Sequence, residues 1–216
     1  MKTDAELKWD VIAELNWDPA VKANDIGVAV KDGVVTLTGH LETFWEKHAA
    51  ARAVRRVAGV QALALEIDVK LAADHRRSDT DIAGSAEQAL KWNTVVAPEA
   101  IRLTVDKGWV TLQGEVEWDY QRRSVEKAIR PLMGVVGINN EITLRSAPSV
   151  SDLSQRIEQA LTRQATREAR HIQVGVDGHK VTLQGRVHSW REREAAQGVA
   201  WSAPGVHTVV NEIEVD

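Results

Sequence analysis

A chain of 216 residues with 27 Lys and Arg against 31 Asp and Glu has a formal charge of -4, which excludes a global basic surface for nucleic acid. It contains no cysteine, which excludes disulfides, thiolate nucleophiles and cysteine-type zinc sites. Its start, Met1 to Leu7, lacks an apolar signal-peptide core, and no window reaches the roughly 18 apolar residues of a membrane span; as written it reads as cytoplasmic, or as periplasmic if a leader has been removed.

The first element is a helix over Asp4 to Asn16. Leu7, Val11, Ile12 and Leu15 fall on one helix face, and Thr3 with Glu6 has capping-box spacing. A strand follows, in which Ile26, Val28 and Val30 alternate with smaller or polar residues. Asp32-Gly33 is a hairpin turn signal. The next strand runs through Val35 and Leu37, then Leu41 beyond Gly39, a glycine that implies a bulge or a close backbone approach. A second helix opens at Thr43-Phe44-Trp45-Glu46, and its inner face is Ala50, Ala53, Val54 and Val57. A third strand follows Gly59-Val60 and ends in Glu66-Ile67.

That order occurs three times. Val35-Thr36-Leu37-Thr38-Gly39 returns as Val110-Thr111-Leu112-Gln113-Gly114 and as Val181-Thr182-Leu183-Gln184-Gly185. Each glycine is preceded by Ile26, Ile101 or Ile172 and followed by Gly59-Val60, Gly134-Val135 or Gly205-Val206 at constant spacing. Gly108 and Gly178 stand at or beside the turn position of Gly33. The first-helix stripe recurs as Ile82, Ala86, Ala89 and Leu90, then as Leu153, Ile157, Ala160 and Leu161. Pro131 stops the second copy's later helix near Arg130. The expected fold is α+β: three tandem α-β-β-α-β modules over 1–72, 78–146 and 149–216, each a three-stranded mixed sheet with two helices on one face. The joints, around Ala73 to Asp79 and Ser146 to Ser149, are short and polar. Modules of this size are marginally stable alone, so packing between copies is expected to help.

The D-G-x-V-T-L-x-G run, here Asp32 to Gly39, together with the later Gly-Val and an apolar strand with Asn140 or Asn211 before Glu-Ile, resembles the BON domain family. The first copy departs with Leu65 at the asparagine position, and the third has Gly178-His179-Lys180 at the turn. The resemblance covers nearly the whole chain. It implies binding rather than catalysis: phospholipid or membrane-surface binding linked to osmotic or envelope stress, or a protein-interaction or chaperone-like role, or sensing of a small ion or osmolyte. It implies no cofactor.

The chemical candidates are few. Seven histidines include no H-x-x-x-H or H-E-x-x-H pair, so no metal site is expected. No nucleophile elbow and no phosphate-binding glycine loop is present. Eight tryptophans stand against one tyrosine and one phenylalanine. The structural expectation for them is burial in small cores and seams. The functional expectation is that Trp17 and Trp92, which share a position just past the first helix, anchor on lipid headgroups or a protein partner, with Lys91 beside them. Trp118 near the second helix joins this set. Arg52, Arg55 and Arg56, then Arg122, Arg123, Lys127 and Arg130, and in the third copy Arg163, Arg167 and Arg170, read either as solvated, self-neutralising faces or as an anionic headgroup site. Arg122 and Arg123 are the candidates taken from that group.

Overall fold

The computed structural model describes residues 2–145, 153–163 and 172–215. Arg167, Arg170, His171 and the joint Ser146 to Ser149 lie outside the described residues. The first module is α1 (Asp4–Trp17), β1 (Ile26–Lys31), β2 (Val34–Leu41), α2 (Phe44–Val54) and β3 (Ala62–Val69). The second is α3 (Asp79–Lys91), β4 (Ile101–Asp106), β5 (Trp109–Val116), α4 (Asp119–Ile129) and β6 (Gly137–Leu144). The third is α5 (Leu153–Arg163), β7 (Gln173–Asp177), β8 (Lys180–Val187), α6 (Trp190–Trp201) and β9 (Thr208–Val215).

Each module has its own mixed sheet. The second strand is central, antiparallel to the first and parallel to the third. A two-residue turn suffices for the antiparallel pair, whereas the parallel return needs a crossover, which the second helix supplies. The turns differ as their sequences require. Asp32 and Gly33 (φ 51° and 74°) and Lys107 and Gly108 (φ 49° and 79°) are left-handed at both positions, the type I′ pattern. In the third module only Gly178 (φ 56°) is left-handed, so the glycine stands first and His179 second. In the first two modules the first residue of the opening helix braces the turn. Asp4 accepts from Asp32 N–H and Gly33 N–H at 2.8 and 3.1 Å, and Asp79 accepts from Lys107 N–H and Gly108 N–H at 2.8 and 2.9 Å.

Alternation along the central strand sends Val35, Leu37 and Leu41 inward against Leu7, Val11 and Leu15 of α1 and Ala50, Ala53 and Val54 of α2. The small alanines let α2 lie close to the sheet. Equivalent sets fill the second and third cores. The full capping box at Thr3 and Glu6 forms, with Thr3 N–H on the Glu6 carboxylate at 2.8 Å and Glu6 N–H on Thr3 Oγ1 at 3.3 Å. The α4 helix ends at Ile129, with Arg130 as its cap before Pro131. The motif asparagines tie the last strand to the second helix: Asn140 Nδ2 donates to Glu126 at 3.2 Å, and Asn211 Nδ2 to Gln197 at 3.3 Å.

The modules also pack on one another. Phe44, at the start of α2, packs against the core of the second module. Trp190, at the equivalent position of α6, packs against the core of the first and donates its indole N–H to the Val60 carbonyl at 2.5 Å. Between the second and third modules, the Arg122 guanidinium lies over the Trp201 ring at 5.0 Å. Each module therefore touches both others, and the three form a closed triangle.

The strand glycines stand where the chain crosses itself. A Cβ at Gly39 (φ 121°) would lie 2.2 Å from the Asp25 carbonyl oxygen, and one at Gly114 (φ 146°) 2.1 Å from that of Ala100. Neither oxygen can retreat, because both belong to the backbone entering the neighbouring strand. Gly114→Ala combines left-handed strain with a backbone clash, an expected loss of about 3 kcal/mol or more. Chemical denaturation checks this; an unchanged midpoint contradicts the tight crossing.

Candidate functional site

The tryptophans divide into two groups. Trp190 occupies a seam, as burial leads one to expect, and the rings of Trp118 and Trp201 are half-buried. Trp17, Trp92 and Trp9 are 82%, 79% and 74% exposed, and Trp109 is exposed while lying across Gly137 on the neighbouring strand. For these four, and for Trp45, which is also exposed, the expectation of burial fails. Trp17 is the last residue of α1 and Trp92 caps α3, where the apolar stripe of each helix has already ended. The chain then turns back toward the sheet, leaving the ring outside. Lys91 pairs with Glu87 at 2.7 Å, one helical turn back.

Trp118, Arg122 and Arg123 belong to a different place. Trp118 is the cap of α4; its backbone N–H and that of Glu117 both donate to Gln121 Oε1 at 3.0 Å. Arg122 and Arg123 lie one turn further along, facing a cavity of about 490 Å³ where the second helices of all three modules meet. The sequence places this site by symmetry. His48, Arg123 and Glu194 each stand nine residues after their module's strand glycine, Gly39, Gly114 or Gly185, and all three line the cavity with Arg52, Arg55 and Trp201. One face of α2, α4 and α6 thus turns inward three times with three different sets of side chains.

The cavity is strongly charged and largely paired. Asp119 is 2% exposed, at the position where the other modules carry Phe44 and Trp190. It receives Arg122 through a short hydrogen bond. Arg123 Nε lies 2.7 Å from its other oxygen, off the hydrogen-bond directions, so that oxygen has a cation beside it and no directed bond. Glu194 pairs with Arg55 across the first and third modules at 3.1 Å. Burial pushes Glu126 up, but hydrogen bonds from Arg130 and Asn140 outweigh it and hold the carboxyl below its ordinary range. Among the described residues Arg52 pairs only with Asp18, 3.9 Å away, which Arg56 clasps at 2.9 Å while also holding Glu14 at 2.7 Å. That clasp holds the Asp18 carboxyl low.

His48 sits on the seam between the first and second modules. Its Nε2 is 2.7 Å from Arg130 Nη1; arginine only donates, so Nε2 accepts and the ring proton is assigned to Nδ1. Burial first, then the Arg130 charge, lower its pKa from 6.5 to about 4; Arg52 and Arg55 push the same way and Glu126 opposes them. The folded state therefore holds His48 neutral while the unfolded chain protonates it. Its contribution to stability is complete above pH 6.5 and is lost as pH falls toward about 4. His48→Gln is expected to flatten the loss of stability across that window by about 1 kcal/mol, after allowing for partial solvent screening. Thermal melts at stepped pH measure it; equal slopes for the two proteins contradict a neutral His48 at the seam.

Among the described residues, no group of three His, Asp or Glu side chains is arranged to hold a metal ion, and no helix is long and apolar enough to cross a membrane.

Three successive α-β-β-α-β units with their glycine crossings define the class, and comparison with known families gives the same result. The BON domain model matches residues 3–70, 78–146 and 149–216, and the chain belongs to the BON domain family. It is similar to osmotically-inducible protein Y of Escherichia coli (strain K12), with 24% identity over 144 residues that make up 63% of this chain and 72% of that protein. Among solved structures it matches CdsD, a structural protein of the type III secretion system of Chlamydia trachomatis, at 12% identity, with coverage of 96% of this chain and 91% of that one and a TM-score of 0.26. The CdsD C-terminal domain matches at 12% identity, full coverage of both chains and a TM-score of 0.27. Superpositions this loose carry no argument about this chain.

The sequence missed two features of the site. Trp9 is exposed on α1 outside the stripe of Leu7, Val11 and Leu15, and helical spacing from Leu7 and Val11 was the available signal. The meeting of Arg52, Arg55, Arg122 and Arg123 had no signal within one module, because it is made between modules.

Proposed function

We propose that the chain is a non-enzymatic binding protein of the osmotic or envelope stress response that attaches peripherally to phospholipid surfaces through Trp17 and Trp92. The observation that carries this reading is the pair of nearly fully exposed indoles at equivalent ends of α1 and α3. An indole held in water has apolar area to bury and an N–H suited to the headgroup zone. The likeness to an osmotically inducible relative supports the stress assignment, and family membership supports binding over catalysis.

Sedimentation with anionic vesicles at low salt tests it. The native protein is expected to pellet with the vesicles, and the Trp17→Ala, Trp92→Ala double variant to bind about tenfold more weakly or worse, since each ring withdrawn from the interface removes a kcal/mol or more. A native protein that stays in the supernatant overturns the reading. The same exposed rings suit a protein partner, the chaperone-like alternative; suppression of client aggregation by the native protein but not the double variant, without vesicle binding, assigns them to that role.

A further inference from the structure

The cavity between the three second helices holds more positive charge than its acids neutralise. Glu194 is matched by Arg55, and Glu126 by Arg130. Asp119 alone faces both Arg122 and Arg123. Among the described residues Arg52 pairs only with Asp18, at 3.9 Å, an acid it shares with Arg56, which also holds Glu14 at 2.7 Å. One guanidinium charge is left over, and Arg52 is held only by a long ion pair, in a space of about 490 Å³, within the size range of small-ligand sites.

A second observation concerns how the cavity's second-module wall departs from the repeat. Arg122 stands at the position of Lys47 and Arg193, eight residues after the strand glycine in each module. Lys47 and Arg193 both donate back into their own sheet, to the carbonyls of Ile67 at 2.7 Å and Ile213 at 2.9 Å. Arg122 instead bonds Asp119 and lies on Trp201 of the third module. The preceding change, Asp119 in place of an aromatic plug, supplies the buried carboxylate that holds it there. Both substitutions remove a scaffold contact and point cations at the cavity, and a carboxylate buried between two guanidinium groups fixes their position before any ligand arrives.

We propose that this cavity is a binding site for a phosphate group, with Arg52 and Arg123 as its principal contacts and Arg122, set by Asp119 and Trp201, as a positioning residue. Guanidinium forks match the planar spread of phosphate oxygens, and one surplus cation with a second held only by a long ion pair suits a phosphate anion. The site is made of residues from all three modules, so it exists only in the assembled triangle. It stands apart from Trp17 and Trp92 and does not depend on the vesicle reading.

The test is calorimetric titration and thermal melting of the full chain with inorganic phosphate and with glycerol 3-phosphate, against sodium chloride of matched ionic strength. Saturable binding and a phosphate-specific rise in melting temperature are expected. Arg52→Gln with Arg123→Gln is expected to weaken binding at least about tenfold, from the loss of charge-assisted hydrogen bonds. Arg145→Gln, on an exposed residue outside the cavity, is expected to bind as the native protein does. Absence of saturable binding, or equal binding by the double variant, overturns the proposal. If the double variant does not fold, Arg52→Gln alone decides, because among the described residues its one ion pair is the long one to Asp18. Phosphatidate vesicles distinguish the source: competition by soluble phosphate and loss in the arginine variant place a headgroup in the cavity, whereas vesicle binding indifferent to both leaves it to a soluble phosphate.

Discussion

The structure depends on one contact that each small module cannot make for itself. Trp190 leaves its own module, packs into the core of the first and closes a hydrogen bond on the Val60 carbonyl. Phe44 packs likewise against the core of the second module from the equivalent helix position. A three-stranded sheet under two helices buries too little apolar surface to be robust alone, and the borrowed aromatic rings extend the first and second cores across a seam. The buried tryptophan N–H finds a carbonyl, so the plug adds apolar burial without leaving a polar group unpaired.

The third seam follows a different chemistry, and this sets the character of the whole molecule. Where the pattern would place an aromatic ring, the second module has Asp119, buried and held by Arg122 and Arg123. A buried ion pair costs desolvation that an aromatic plug does not. It persists here with a third element, the Arg122 guanidinium stacked on Trp201, and the result is an open polar cavity where a packed core would otherwise stand. Two seams serve stability and the third exchanges packing for charge. His48 lies at the edge of that cavity, neutral against Arg130, so acid conditions weaken the seam between the first and second modules.

The scaffold is legible in the sequence because its constraints are local and recur. Gly39 and Gly114 must lack a Cβ under a crossing carbonyl, Asp32-Gly33 must turn left-handed, and Leu7, Val11 and Leu15 must share one helix face. These demands act within a few residues of each other and so leave the same mark in each copy. The Asp4 and Asp79 braces are equally local and recur at the same place; they read as helix-start acids until the hairpin is seen above them. The seams are different. Alignment puts Phe44, Asp119 and Trp190 at one position, yet nothing in spacing says that this position reaches into a neighbour. The arginines of α2 and α4 read either as a self-neutralising surface or as an anionic headgroup site; their convergence is visible only once the three helices face one another. Exposure of Trp17 and Trp92 was likewise undecidable from pattern, since a ring one step past a helix end can fold in or out.

The central claim is that three modules with separate cores behave as one closed unit. Native-state hydrogen exchange of the amides in the central strands β2, β5 and β8 tests it most directly. If the seams couple the modules, these amides open together with one free energy and one denaturant dependence. Three distinct opening energies, each with the small denaturant slope of a single module, would contradict the account.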